Sequence, residues 1–237
     1  FQMMASLYYT APEYTSARSH RIEHHPGRKF TEEMPMDESA ARNLAVLRGT
    51  LSAPPALSHT SRGERFYVMT LETRRLSGTA DRINVIARES LLNAAEVLEA
   101  GRIEVRGELR SFNNKSGTGA KLVISVFAKE LFFADGPDAN SVRLSGTICK
   151  PPTLRRTPMG REICDVMLAV NRRCARSDYL PCIAWGRRAR ECAGLNTGSR
   201  LALSGRIQSR PYIKLIDNEP VEKVAYEVSA SDIDIFI

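Results

Sequence analysis

Apolar and polar residues alternate in four short runs in the second half of the chain. The runs cover residues 142–149, 163–170, 179–184 and 201–207. Alternation with a period of two over such lengths predicts β-strands with one buried face. Pro158-Met159-Gly160 is typical of a hairpin turn between the first two strands. Residues 187–194 predict a short helix that ends at a glycine.

A fifth alternating run, residues 224–236, follows these elements. The resulting order is strand, turn, strand, strand, short helix, strand, strand. This is the order of the OB-fold, a small five-stranded barrel that binds oligonucleotides on the outer face of its strands 2 and 3.

The first half of the chain repeats landmarks of the second half at a constant distance. Gly107 matches Gly205 at a distance of 98 positions, and a larger set stands 97 positions before identical residues: Gly49, Pro54, Pro55, Leu57, Gly63, Asp81 and Gly101. A repeat of this length is too long for a solenoid and is typical of a duplicated domain.

The first copy therefore predicts its own set of elements. Strands are expected near residues 45–52, 65–72, 82–87, 102–110 and 121–133, with a helix over 89–100. The fold class that we predict is mainly β, with two tandem OB-fold five-stranded barrels that each have a short helix between strands 3 and 4. The expected domains are residues 43–135 and residues 140–237, joined by a short linker at 135–138.

Residues 1–42 show no sustained periodicity, which predicts either a flexible arm or a segment that docks on a barrel. His20, Glu23, His24 and His25 are metal-ligating residue types. However, the close pair of histidines, His24 and His25, consists of immediate neighbours, and no second cluster completes a site. We therefore expect no metal site.

The five cysteines are Cys149, Cys164, Cys174, Cys182 and Cys192, without a C-x-x-C motif. An odd number without close pairs argues against a disulfide framework and against zinc, so we expect reduced packing residues and no cofactor. No apolar run approaches the roughly 18 residues that span a bilayer, and no signal peptide is evident. We expect a cytoplasmic protein without a membrane partner.

Positive charge is concentrated between Asn140 and Lys214. This segment has 15 Lys and Arg, 13 of them Arg, against four Asp and Glu, a net charge of +11, whereas the rest of the chain has a net charge of −4. Arginine makes bidentate phosphate contacts and stacks on bases, so this pattern indicates a nucleic-acid partner. The alternative is a basic face that is simply solvated.

Two aromatic residues lie on the predicted third strand of the second copy. Tyr179 and Trp185 are six positions apart, so a continuous strand places both on one face, about 20 Å apart. Such a spacing suits two platforms on which bases of a single strand stack. The alternative is that both belong to the core, but the many arginines around them favour exposure.

The segment resembles the bacterial single-stranded DNA-binding proteins. The matching phrases are RLSGTICKPP, LRRTPMGREI, LAVNRR, DYLPCIAWGRRAREC and GSRLALSGRIQSRPY, in the order of that family. The resemblance implies base stacking on Tyr179, Trp185 and Tyr212. A further stacking position of the family falls near Cys174, whose thiol does not stack as a ring does. The arginines that we expect at the DNA are Arg155, Arg156, Arg172, Arg173, Arg176, Arg187, Arg206 and Arg210.

The first copy lacks these rings. The constant distance places Arg82 opposite Tyr179, Arg88 opposite Trp185 and Asn114 opposite Tyr212. We expect a degenerate binding face in the first barrel, with Arg82 and Arg88 as secondary contacts.

The function that we predict is largely sequence-independent binding of single-stranded DNA in replication, repair and recombination. The alternative is an assembly module similar to the primosomal replication proteins, which docks other replication proteins. An enzyme is not expected, because the basic segment lacks histidine and has only Glu162, Asp165, Asp178 and Glu191 as carboxylates. The resemblance also implies a homodimer that supplies four OB-folds. Residues 232–237 are only loosely similar to the acidic tip with which that family recruits other proteins.

Overall fold

The structure is a computed structural model that describes residues 42–93, 101–114, 122–172, 174–216 and 219–236. Residues 1–41, with the predicted arm and its histidines, lie outside these ranges. The first half forms β1 (Asn43–Leu51), β2 (Ala56–Ser61), β3 (Glu64–Arg74), β4 (Ala80–Arg88), α1 (Glu89–Asn93), β5 (Arg102–Asn113) and β6 (Leu122–Phe133). The second half forms β7 (Ala139–Ile148), β8 (Thr153–Arg156), β9 (Glu162–Asn171), β10 (Ser177–Trp185), α2 (Arg187–Ala193), β11 (Arg200–Ile216) and β12 (Glu219–Phe236).

The strands of the first half close into a barrel. β1 pairs with β5 along most of its length and with β3 at its end, β3 pairs with β4, β4 runs parallel to β6, and β6 pairs with β5. The inward side chains of these strands, among them Leu47, Leu71, Ile83, Ile103 and Leu109, are fully buried. Closure thus removes the free edges that an open sheet would expose.

The second half repeats this topology with β7, β9, β10, β12 and β11, again with a parallel pair between the third and last barrel strands. The predicted fold class, mainly β with two tandem OB-folds, is confirmed. The helix that was predicted over residues 89–100 is described over Glu89–Asn93, and residues 94–100 lie outside the described part of the chain.

Two features differ from the prediction. Short strands β2 and β8 pair with the outer ends of β3 and β9 and are exposed at every position, so no apolar alternation marks them. The β11–β12 hairpin is also longer than predicted, with pairs from Arg200↔Phe236 to Ile216↔Glu219. Its outer part leaves the barrel, and there both faces contact solvent and the alternation disappears.

The two barrels are joined edge to edge by β1 and β7. These strands pair antiparallel from Asn43↔Leu144 to Arg48↔Ala139, so hydrogen bonding continues through a sheet of 12 strands. The centre of the pairing is Ala45↔Val142, two residues at equivalent positions of the repeat. The interface is therefore isologous within one chain, like the interface of a symmetric dimer. The sequence repeat predicted two barrels but not this pairing.

Two buried carboxylates hold the barrels together. Asp81 is fully buried, is bound by Arg75 Nη2 at 2.6 Å, and accepts a hydrogen bond from the backbone N–H of Ser209 in the other barrel at 2.8 Å. Asp178 is also fully buried, is bound by Arg172 Nε at 2.7 Å, and accepts from the N–H of Ser111 at 2.6 Å. Each barrel thus has a buried aspartate whose charge is satisfied by an arginine of the same barrel and a serine N–H of the other barrel. The repeat duplicates this arrangement.

Candidate nucleic-acid interface

The outer face of β9 and β10 presents the two predicted aromatic residues of the second barrel. Tyr179 is 50% exposed and Trp185 37%, whereas Leu180, Cys182 and Ala184 on the alternate positions are buried. Both rings therefore lie at the surface on one face of β10, as the even spacing predicts. The N–H of Tyr179 donates to Ser111 Oγ at 2.7 Å, so the first barrel helps to fix this strand.

Trp185 lies at the end of β10 beside an open pocket of about 560 Å³. Its indole Nε1 donates to Ser229 Oγ at 3.0 Å, which orients the ring. The pocket is lined by Arg156, Gly160, Arg161, Glu162, Trp185 and Gly186. An oriented indole with two guanidinium groups beside it offers a stacking surface for a base and cations for a phosphate.

The β11–β12 hairpin places Tyr212 away from the barrel wall. Tyr212 pairs with Lys223, and residues two positions apart on a strand share a face, so Arg210 lies on the same face as Tyr212. Tyr212 is half-buried and Arg210 is exposed. The opposite face of the hairpin presents the exposed side chains of Ile213 and Leu215. One face is therefore cationic and aromatic, and the other is largely apolar, with Glu222 opposite Ile213.

The predicted arginines differ in what already engages them. Arg155 binds Asp165 with Nη2 at 3.0 Å, and exposed ion pairs of 3.3 Å join Arg156 to Glu162 and Arg187 to Glu191. Arg176, Arg206 and Arg210 are exposed, and within the described ranges no salt bridge engages them. Arg173 lies outside the described residues. Exposed ion pairs are weak, so Arg155, Arg156 and Arg187 remain available to a phosphate.

Arg172 occupies a different place from the one that its motif suggests. Its guanidinium binds the buried Asp178 and donates to the carbonyl of Ser111 at 3.2 Å. The side-chain hydrogen bond to Asp178 raises the pKa of Arg172 above its ordinary value. A sequence signal for this role exists, because Arg75 and Asp81 repeat the same spacing of six residues as Arg172 and Asp178.

Sequence reasoning missed two carboxylates near this face. Asp165 lies on the outward side of β9 and pairs with Arg155. Glu227 on β12 is half-buried, and desolvation raises its pKa, while Arg210 lowers it and Asp165 raises it. These charges reduce the positive potential beside the rings. Asp165 lies on β9 and Glu227 lies on β12, and these two strands flank β10 in the barrel. No spacing in the sequence shows that the two carboxylates are neighbours.

Cys174, the position where the resemblance implies a further ring, is exposed in the turn between β9 and β10. Residues 232–236 belong to β12, where Asp232 pairs with Ser204 of β11 and binds the guanidinium of Arg188. That hydrogen bond lowers the pKa of Asp232 below its ordinary value. The acidic residue thus contacts its own barrel.

The corresponding face of the first barrel has exposed arginines at the expected positions. Arg82 is exposed and pairs with Glu72 at 3.3 Å, and Arg88 pairs with Glu64 at 3.6 Å. Arg88 also lies over the ring of Phe127 at 5.9 Å. The face therefore retains cations where the second barrel has rings.

Within the described ranges, no group of three or more His, Cys, Asp and Glu residues could hold a metal ion. In the same part of the chain, no helix is long and apolar enough to cross a membrane.

Comparison with known proteins gives a consistent result. Residues 139–236, the second barrel, match the model of the single-strand binding protein family. The chain is 33% identical over 110 residues to single-stranded DNA-binding protein B of Bacillus subtilis, a match that covers 36% of this chain and 97% of that protein. It is 38% identical over 80 residues to single-stranded DNA-binding protein 2 of Listeria innocua, which covers 31% of this chain and 50% of that protein.

The chain thus spans about half the length of several curated relatives that it matches. Among solved structures, the wild-type single-stranded DNA-binding protein of Thermus aquaticus superposes with a TM-score of 0.67 and 24% identity, over 82% of this chain and 93% of that one. This similarity extends over both barrels and supports the fold.

Proposed function

The chain belongs to the single-strand binding protein family, and from this premise we propose that it binds single-stranded DNA with little dependence on sequence. The observation on which the proposal depends is the exposure of Tyr179 and Trp185 on one face of β10. Every base has a face that stacks on such rings, so this mode of binding tolerates any sequence.

In this proposal the single-stranded DNA runs along the outer face of the second barrel. One base stacks on Trp185 in the pocket beside Arg156 and Arg161, and another stacks on Tyr179 about 20 Å away. The cationic face of the hairpin, with Arg210 and Tyr212, extends the same surface. Arg155, Arg176, Arg187 and Arg206 contact phosphates, whereas Arg172 stays on Asp178.

The biological setting that fits this activity is replication, repair and recombination, in the cytoplasm. The protein covers exposed single strands and does not turn them over.

Residues 43–135 and 140–237 act as two domains after an arm of residues 1–42, and two chains associate into a homodimer that supplies four barrels. Light scattering checks the dimer: a mass of about 53 kDa, twice the 26.4 kDa of one chain, is expected, and a monomer at micromolar concentration contradicts it.

A fluorescence titration tests the binding proposal directly, because Trp185 is the chain's only tryptophan. Oligo-dT is expected to quench the emission by stacking on the indole, and oligo-rU tests for discrimination against RNA. Trp185→Ala and Tyr179→Ala should each cost about 1–3 kcal/mol of binding free energy, measured by anisotropy of a labelled oligonucleotide.

The dependence of affinity on salt concentration is a second, independent test. Affinity should fall steeply as salt rises, because bound arginines release counterions from the phosphates. Unchanged Trp185 emission at saturating oligo-dT, with binding verified by anisotropy, would contradict the proposed path. Weak binding together with a stable replication-protein partner would favour an assembly module.

A further inference from the structure

The first barrel has an aromatic cluster at the place where the second barrel has Trp185. His59 and Phe66 stack with ring centroids 4.8 Å apart and planes 5° apart, and Phe127 lies 6.1 Å from Phe66. Arg88 and Lys129 lie over the Phe127 ring at 5.9 and 5.4 Å. Three rings and two cations thus form one continuous row, which we term the β2–β6 cluster.

The register of the strands places this row on the outer face of strands β3 and β4. His59 pairs with Phe66, Phe66 pairs with Arg88, and Phe127 lies opposite Ile86 on the adjoining strand β6. The β2–β6 cluster therefore crosses four neighbouring strands at the barrel end that faces α1. It lies on the face that OB-folds use for oligonucleotides.

Comparison of the two barrels shows that aromatic surface has moved rather than vanished. In the second barrel, Arg155 pairs with Ile163, and Ile163 pairs with Trp185, whose indole reaches Ser229. Phe127 and Ser229 occupy equivalent positions in the two barrels. The backbone carbonyl oxygen of each would lie 2.2 Å from a Cβ built on the equivalent glycine, Gly107 or Gly205. A single ring on the third barrel strand is thus replaced by a cation there and by rings on the flanking strands.

Exposure shows what this row offers to a ligand. Phe66 is buried at 8%, so it forms a rigid base for the exposed His59 ring stacked on it. The side chains of Arg88 and Lys129 remain about half exposed, at 49% and 51%. Arg88 pairs with Glu64 at 3.6 Å and Lys129 pairs with Glu108 at 3.9 Å, and both are weak pairs that a phosphate can replace.

We propose that the β2–β6 cluster is a second single-stranded DNA subsite, in which a base stacks on His59 or Phe127 and Arg88 and Lys129 hold the adjoining phosphate. This inference rests on the proposed function, because it assigns the same ligand to the first barrel. It also revises the expectation of a degenerate face: the first barrel binds DNA with rings at positions that the family's motif does not mark, beside Arg88 at the position of Trp185.

The test uses the full chain with Tyr179→Ala and Trp185→Ala, so that residual binding reports the rest of the surface. Anisotropy of a labelled oligo-dT longer than one barrel can cover gives the affinity. Adding His59→Ala and Lys129→Ala should weaken the residual binding at least about tenfold. The matched control adds Phe132→Ala and Arg106→Ala, which removes another ring and cation pair, 5.3 Å apart, on the β5–β6 side, and should leave the affinity unchanged.

Equal affinity with and without the two substitutions overturns the inference, and so does an equal loss in the control. Circular dichroism of each variant verifies the fold, and His59 is exposed, so its loss does not disturb the core. Ultraviolet cross-linking of oligo-dT to the unmodified chain gives a second measurement. Cross-links in residues 59–66 or 122–133 are expected, and cross-links confined to the second barrel overturn the subsite. Failure of the proposed function itself would appear differently, as no quenching of Trp185 and no binding by the unmodified chain.

Discussion

Arginine has two opposite roles in this chain, and buried carboxylates determine which role each residue has. Arg75 and Arg172 compensate Asp81 and Asp178, which are fully buried between the barrels. An uncompensated buried charge would cost several kcal/mol, so these arginines are committed to the fold. Arg155, Arg156 and Arg187 have only weak exposed carboxylate partners, and within the described residues no salt bridge engages Arg176, Arg206 or Arg210, so these arginines can meet a phosphate.

At this scale the sequence predicted the rings better than the cations. An even spacing on one strand is sufficient to place Tyr179 and Trp185 on one face, because the strand period is two. Arg172 stands within the same basic motif as its neighbours, and nothing in that motif states that its guanidinium points to a buried carboxylate. Its partner lies on the next strand, and the distinction needs tertiary structure or the repeated Arg–Asp spacing.

Glu227 predicts a dependence of stability on pH. Burial raises its pKa above the ordinary value of 4.5, so the folded state holds this proton more tightly than the unfolded state. The free energy of unfolding therefore falls as pH rises from about 4.5 through the raised pKa. Glu227→Gln should be more stable than the unmodified chain at pH 7, and the difference should shrink towards pH 4.5.

Urea denaturation at several pH values measures this difference. Glu222→Gln, an exposed residue on the same strand β12, is the control for the loss of one negative charge. If Glu227→Gln and the unmodified chain keep a constant difference across this range, the carboxylate does not titrate abnormally and the prediction is wrong.

At the scale of elements, alternation of apolar and polar residues predicts the strands, and glycine allows two strands to approach each other closely. Together with the repeat, which gave the strands of the first half, alternation located all ten barrel strands, because each has one buried and one exposed face. It missed β2, β8 and the outer part of the β11–β12 hairpin, where neither face packs on the core. The resemblance implied base stacking on Tyr212, but neither it nor periodicity predicted the extended hairpin on which this residue lies.

Gly146 lies where β7 passes close to β9. A Cβ at this position would stand 2.4 Å from the carbonyl oxygen of Ala169, a distance that only a backbone shift relieves. Gly146→Ala should destabilise the protein by about 1–3 kcal/mol or more, the usual cost of overpacking. Gly194→Ala is the matched control, because its φ is −81° and its new Cβ would be 3.6 Å from the nearest oxygen.

Thermal unfolding compares the two glycine variants. A large loss for Gly146→Ala beside a small change for Gly194→Ala is expected. Equal midpoints would show that the β7–β9 crossing has room for a methyl group, and that the repeated glycine has another purpose.

At the scale of the whole molecule, the repeat has become an internal dimer. β1 and β7 pair about a centre at equivalent residues, and each barrel supplies a serine N–H to the other barrel's buried aspartate. The duplication could be predicted from identical residues at constant spacing. The pairing could not, because the residues of β1 and β7 alternate in the same way whether their edges meet each other or solvent.

This arrangement predicts that the two barrels unfold together. Asp81 lies in the first barrel but accepts hydrogen bonds from the backbone N–H of Ser209 and from Arg75, so Asp81→Ala leaves the partly buried guanidinium of Arg75 and the N–H of Ser209 without their shared acceptor. The expected loss is about 3–5 kcal/mol.

Trp185 emission reports only the second barrel, whereas circular dichroism reports both. Asp81→Ala should therefore move the fluorescence and the dichroism midpoints by the same amount. Glu72→Ala, which removes an exposed pair with Arg82 in the same barrel, should change both by less than about 1 kcal/mol. If Asp81→Ala leaves the Trp185 transition in place while dichroism separates into two steps, the barrels are independent and the shared aspartates do not couple them.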